Sequence, residues 1–81
     1  LREAQVAGIE LNHRQRALLA NAIRDPDRAY TVATHQGAHQ ISYPTALSDL
    51  TALAEAGLLE RHRVGRAHEF VAVPAMAMLL Q

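Results

Sequence analysis

Arg61, His62, Arg63, Arg66 and His68 fall within a stretch of eight residues. Their chemistry is that of phosphate recognition. Guanidinium groups bind phosphate oxygens in pairs, and a row of them follows a nucleic-acid backbone or enters a minor groove. The same strip also reads as charge on an exposed edge strand, where it prevents pairing with other chains. On sequence alone the two readings weigh equally.

A second set of polar groups lies upstream. Ser42, Tyr43, Thr45, Ser48 and Thr51 carry hydroxyls along one expected helix, with the acidic Asp49 and Glu55 on the same outward face. Hydroxyls contact phosphates or bases. Residues 43–56 contain no Arg, Lys, Asn or Gln, so that helix has no bidentate partner for guanine or adenine. The face is therefore either a modest DNA-contacting surface, with Ser42, Tyr43, Thr45 and Ser48 as candidates, or a solvated one. Leu47, at the edge of the apolar stripe, either completes the core or joins a protein-contacting patch. The apolar tail residues Met76, Met78, Leu79 and Leu80 are the other candidates for a protein interface.

His35 and His39 stand four apart and share a helix face. Two imidazoles at that spacing can hold a metal, but no third and fourth ligand accompanies them. The expectation is no metal, and partly buried histidines bonded to backbone or hydroxyl groups. If buried neutral, they make acid destabilising. Arg14, Arg16 and Arg24 either extend the basic strip or are solvated. No nucleophile–base pair, phosphate-cradling glycine loop or acidic pair stands out. The chain is not read as an enzyme, and no cofactor is expected.

These groups need a scaffold. The chain has 81 residues, enough for one domain, and is 49% hydrophobic but 4% aromatic, so its core draws on Ala, Leu, Val and Ile. There is no cysteine, which excludes disulfides and thiolate zinc sites and fits a cytoplasmic setting. No apolar run reaches the length of a membrane span. The formal net charge is zero, so any basic surface must be local. A chain that begins at Leu1 reads as a piece of a longer protein.

Residues 1–11 read as a linker or extension, in which Val6, Ile9 and Leu11 pack on the domain or continue an upstream helix. Asn12 with Gln15 three residues on forms a capping box for a helix over 13–24, with Ala17, Leu18, Ala20, Ala22 and Ile23 as its apolar surface. Asp25-Pro26-Asp27 stops it. Residues 30–32 are a short β-like segment. A second helix, capped by Thr31 or Thr34 and weakened by Gly37, runs to about His39. Ser42 or Tyr43 caps a third helix, with Pro44 in its first turn. Ala46, Leu50 and Leu53 recur at helical spacing on its inner face. Gly57 is placed for a left-handed cap, with Leu58 folding back on Leu53. Residues 58–64 and 67–73 are strands joined by a Gly65-Arg66 turn. Residues 74–81 form the apolar tail.

Helix, short strand, helix, turn, helix and hairpin is the order of a winged helix-turn-helix domain over residues 12–73. Such a fold is mainly α with a small β-hairpin wing (α+β) around a three-helix core. It usually presents its third helix to DNA, sometimes to protein. The run Asn12-His13-Arg14-Gln15-Arg16-Ala17-Leu18-Leu19 supplies a first match to a known family. Tyr30-Thr31-Val32-Ala33-Thr34-His35-Gln36, His39 and Ile41-Ser42-Tyr43 follow. Thr45-Ala46, Asp49-Leu50, Leu53-Ala54, Gly57-Leu58-Leu59 and Val64-Gly65-Arg66-Ala67 with Phe70 complete the set. Together, over residues 12–70, these segments resemble the winged-helix module at the C-terminal end of Fic-family (filamentation-induced-by-cAMP) proteins. Nothing in the chain matches that family's His-Pro-Phe and Gly-Asn-Gly-Arg catalytic loop. The AMP-transferring chemistry the resemblance implies would belong to a preceding domain. The expected role is a DNA-binding-type accessory domain, regulatory or targeting. Its expected partner is duplex DNA; the alternative is a protein-interaction module, meeting a second copy or the upstream Fic domain.

Overall fold

Three helices and a three-stranded antiparallel sheet make up the body of the chain in a computed structural model that describes residues 5–6 and 9–74. Strands β1 (Gln5–Val6) and β2 (Ile9–Glu10) pair with each other antiparallel, so this stretch does not continue a helix. Leu11 follows with 3% of its surface exposed, inside the core. Leu11 thus packs on the domain, the first of the two alternatives read for it.

Helix α1 (His13–Arg24) starts from the anticipated capping box. The Asn12 side chain accepts from the Gln15 backbone N–H at 2.8 Å, and the Gln15 side chain accepts from the Asn12 N–H at 2.9 Å. Its inner face differs in detail from the sequence expectation. Leu18, Leu19 and Ala22 are buried with Gln15, whereas Ala17 and Ile23 are exposed. An alanine-rich helix has no single obvious stripe, and packing chose the face carrying both leucines.

β3 (Ala29–Tyr30) lies one residue earlier than read from sequence, because Val32 is already helical. Thr31 caps α2 (Val32–His39) in a second reciprocal box with Thr34. Gln40 then turns the chain in the left-handed region at φ 53°. Helix α3 (Tyr43–Glu55) starts at Ser42, with Pro44 in the first turn. It ends as its glycine predicts. Gly57 sits at φ 82°, Leu58 N–H donates to the Leu53 carbonyl, and Gly57 N–H to that of Ala54, both at 3.0 Å. This is a Schellman cap, and it delivers the fully buried Leu58 against the equally buried Leu53.

β4 (Leu59–Val64) and β5 (Ala67–Ala72) form a hairpin whose two-residue turn has Gly65 at φ 62°. The sheet order is β3-β5-β4, so β4 is an edge. Register places Arg61 opposite Phe70 and Arg63 opposite His68. Phe70, the one phenylalanine, is fully buried and meets Leu18, Leu19, Leu50, Leu53, Leu58 and Leu59 in a single core. Residues 75–81, and with them Met76, Met78, Leu79 and Leu80, lie outside the described residues.

Candidate functional site

The α3 N-terminus and the hairpin meet across one open groove. Alternation along β4 and β5 sets what reaches it. The sheet face that turns Leu59 and Phe70 into the core carries Arg61, Arg63 and His68 beyond the core's rim. The opposite face carries Glu60, His62 and Glu69, and His62 bonds Glu60 there at 3.1 Å. Arg61, Arg66, His68 and Phe70 line the groove from the hairpin, Tyr43 and Leu47 from α3, and residues 31–33 from the start of α2.

The Arg61 guanidinium lies over the Phe70 ring, 5.4 Å from its centre. That contact holds the cation against a fixed wall. Arg63 is exposed near the tip, its Nε–H donating to the Gly65 carbonyl at 3.0 Å. Among the described residues, none of the three arginines pairs with a carboxylate. Tyr43 is 56% exposed. Leu47 is half-buried and serves two surfaces. It also lies with Pro44, Ser48, Thr51, Ala52 and Glu55 along the outer side of α3, a shallow furrow that holds no cation.

The other hydroxyl candidates have local employment. Ser42 Oγ accepts from the Thr45 N–H at 3.3 Å and donates to Thr45 Oγ1 at 2.9 Å, so this pair closes the start of α3. Ser48 remains on the outer face, away from the hairpin groove. The structure therefore brings Tyr43, Leu47, Arg61 and Arg66 together and sets Ser42, Thr45 and Ser48 apart, while Arg63 shares the sheet face of Arg61 but stands beyond the groove, toward the hairpin tip.

Asp49 corrects the sequence reading of the outward face. It is buried, not solvated, with 4% of its surface exposed. Arg14 donates to it through Nε at 2.7 Å and Nη2 at 3.2 Å, Asn12 through Nδ2 at 2.9 Å, and His35 through Nε2 at 2.9 Å. Gln15 Nε2–H donates to the Asp49 backbone carbonyl at 3.1 Å. Burial by itself raises a carboxyl pKa, but the hydrogen bonds from Arg14, Asn12 and His35 outweigh it and lower Asp49 to about 2. Arg14 thus joins neither the basic strip nor the solvent. The signal was present in the sequence. Positions 46, 49, 50 and 53 share the spacing of one helix face, so Asp49 falls on the leucine side.

His35 is buried on α2, as expected, but its partner is this carboxylate and not a backbone or hydroxyl group. His39 stacks edge-on against it, with ring centres 4.9 Å apart, and against His13 at 6.5 Å. Burial and then the neighbouring His35, His13 and Arg14 lower the His39 pKa, against a weaker pull from Asp49. Among the described residues, no three histidine or acidic side chains are grouped to hold a metal ion. No described helix is long and apolar enough to cross a membrane. Neither a family model nor a curated protein matches this chain.

Proposed function

We propose that the chain is a winged helix-turn-helix module of DNA-binding type, serving as a regulatory or targeting accessory domain of a Fic-like protein. Helices α2 and α3 form the helix-turn-helix pair about Gln40, and β4–β5 the wing. The fold reading is supported by the order of α1, β3, α2, α3 and the hairpin, with β3 laid along β5. The Fic assignment rests on the sequence resemblance alone. The reaction of such a protein would be carried out by residues other than these.

One observation carries the DNA reading: Tyr43 on α3 and Arg61 and Arg66 on the wing face the same groove. A duplex lying along it meets the start of α3 and the wing together, as a winged helix requires. The test is a titration of the protein with duplex DNA at low and moderate salt. Measurable binding that weakens steeply with salt is the expected outcome. Absence of binding at low salt overturns the reading.

A second reading follows from the outer side of α3, where Pro44, Leu47 and Ala52 lie with Ser48, Thr51 and Glu55 and no cation. Such a surface suits a protein partner better than a phosphate backbone. A protein-interaction module of this kind self-associates or docks on its parent protein, and its mass rises with concentration in sedimentation equilibrium. Leu47→Asp abolishes that rise if the furrow is the contact.

A further inference from the structure

The geometry points to a sequence-independent contact, in which the wing grips the sugar–phosphate backbone of duplex DNA while α3 reads no bases. This inference rests on the DNA-binding reading and narrows it. Asp49, the acceptor that sequence placed outward, is turned inward and fully engaged. Ser42 and Thr45 are bonded to each other. What α3 presents outward reduces to Tyr43, Ser48, Thr51 and Glu55. None of them forms the two-pronged donor or donor–acceptor fork that identifies guanine or adenine. Glu55, at the last helical position, repels phosphate.

The wing has the opposite character. Its charges are sorted by face: Arg61, Arg63 and His68 on the groove side, Glu60, His62 and Glu69 on the other. Protection of an edge strand needs charge but no sorting. An anionic ligand lying on one side needs the sorting. Arg61 is already braced on Phe70, so less side-chain freedom is lost when it binds. With zero net charge the chain has no long-range attraction beyond this strip. Binding is therefore weak, local and carried by about three phosphates, which corresponds to a slope of about −2.7 in log K against log salt.

The test measures fluorescence anisotropy with three unrelated duplexes and one single strand of equal length, across a salt series. The three duplexes should bind within about threefold of one another, the single strand more weakly, and the slope should lie near −2.7. Arg61→Gln with Arg66→Gln should flatten the slope by about 1.8, and Arg63→Gln alone by about 0.9. All three positions are exposed, and a melting-temperature measurement on each variant checks that it folds. Ser48→Ala with Thr51→Ala should change nothing. Several results would overturn the inference while leaving DNA binding intact. These are a tenfold preference for one duplex, a loss of binding in the Ser48/Thr51 variant, equal affinity for the single strand, or an unchanged slope in the arginine variants. No binding to any duplex would instead remove the underlying functional reading.

Discussion

Asp49 ties three helices to one carboxylate. Its donors come from the α1 cap (Asn12, Arg14) and from α2 (His35), and it belongs to α3. Removing the charge leaves those donors facing a buried site. Asp49→Asn should therefore lower stability by about 3 kcal/mol in urea denaturation. The pH dependence has a definite sign. A carboxyl lowered from 3.8 to about 2 stabilises the fold by about 2 kcal/mol when ionised. That stability is fully present above pH 3.8 and is lost as pH falls through 2. Asp49→Asn should erase this acid limb, as seen in melting temperature against pH. His39 acts earlier on the same scale. Its pKa in the fold lies below the ordinary 6.5, so the unfolded chain takes up the proton first. Stability should begin to fall once pH drops below about 6.5, and His39→Gln should remove that first decline. Tyr30 illustrates the reverse situation. Burial pushes its pKa up, and its hydroxyl is buried with no partner among the described residues. Tyr30→Phe should raise stability by about 1 kcal/mol, because an unsatisfied polar atom is removed without losing the ring.

At the scale of elements, helix ends do most of the positioning. Reciprocal caps at Asn12–Gln15 and Thr31–Thr34 fix where α1 and α2 begin, and Ser42 fixes α3. The α3 C-terminus matters most for the candidate site, because it aims β4 back across the helices. Gly57 has open space where a Cβ would sit, yet its φ of 82° is one that other residues rarely adopt. Gly57→Ala should therefore lower stability by about 1 kcal/mol through backbone strain alone. It should leave α1 and α2 intact in amide-exchange measurements, and weaken protection first in the hairpin. A loss spread evenly over all elements would contradict this account of the cap.

For the whole molecule, Phe70 is the joint between sheet and helices. It is fully buried, it is registered against Arg61, and it backs the groove. A chain of this size has about 4–12 kcal/mol of total stability. Phe70→Ala should remove about 3–5 kcal/mol of it, a loss read as a lower midpoint in thermal or urea unfolding followed by circular dichroism. Leu53→Ala, equally buried, should cost about 2–5 kcal/mol. Because Phe70 also braces Arg61, Phe70→Leu keeps the core apolar but frees the guanidinium. On the proposed DNA-binding reading, the expected result is a domain that still folds, at a cost of about 1 kcal/mol, with a modest loss of DNA affinity.

The sequence by itself determined the local features: the start of α1, the Gly57 stop, the Gly65 turn and the inward row of Ala46, Leu50 and Leu53. Each of these is set within a few residues by hydrogen bonds and backbone preference, so neighbouring letters suffice. It also located the basic strip, because charge along a strand needs no partner to be seen. The spacing of positions 46, 49, 50 and 53 puts Asp49 on the leucine face, but its partners were decided only in three dimensions, where a guanidinium 35 positions away is brought within 2.7 Å of it. The choice of Leu19 over Ala17 and Ile23 for the core was likewise made by packing, since an alanine-rich helix leaves several faces open. Which hydroxyls remain available to a ligand, and the sorting of hairpin charges onto opposite faces of a sheet that closes on α3, follow from the same long-range pairing. Such contacts exist only once separate elements have docked.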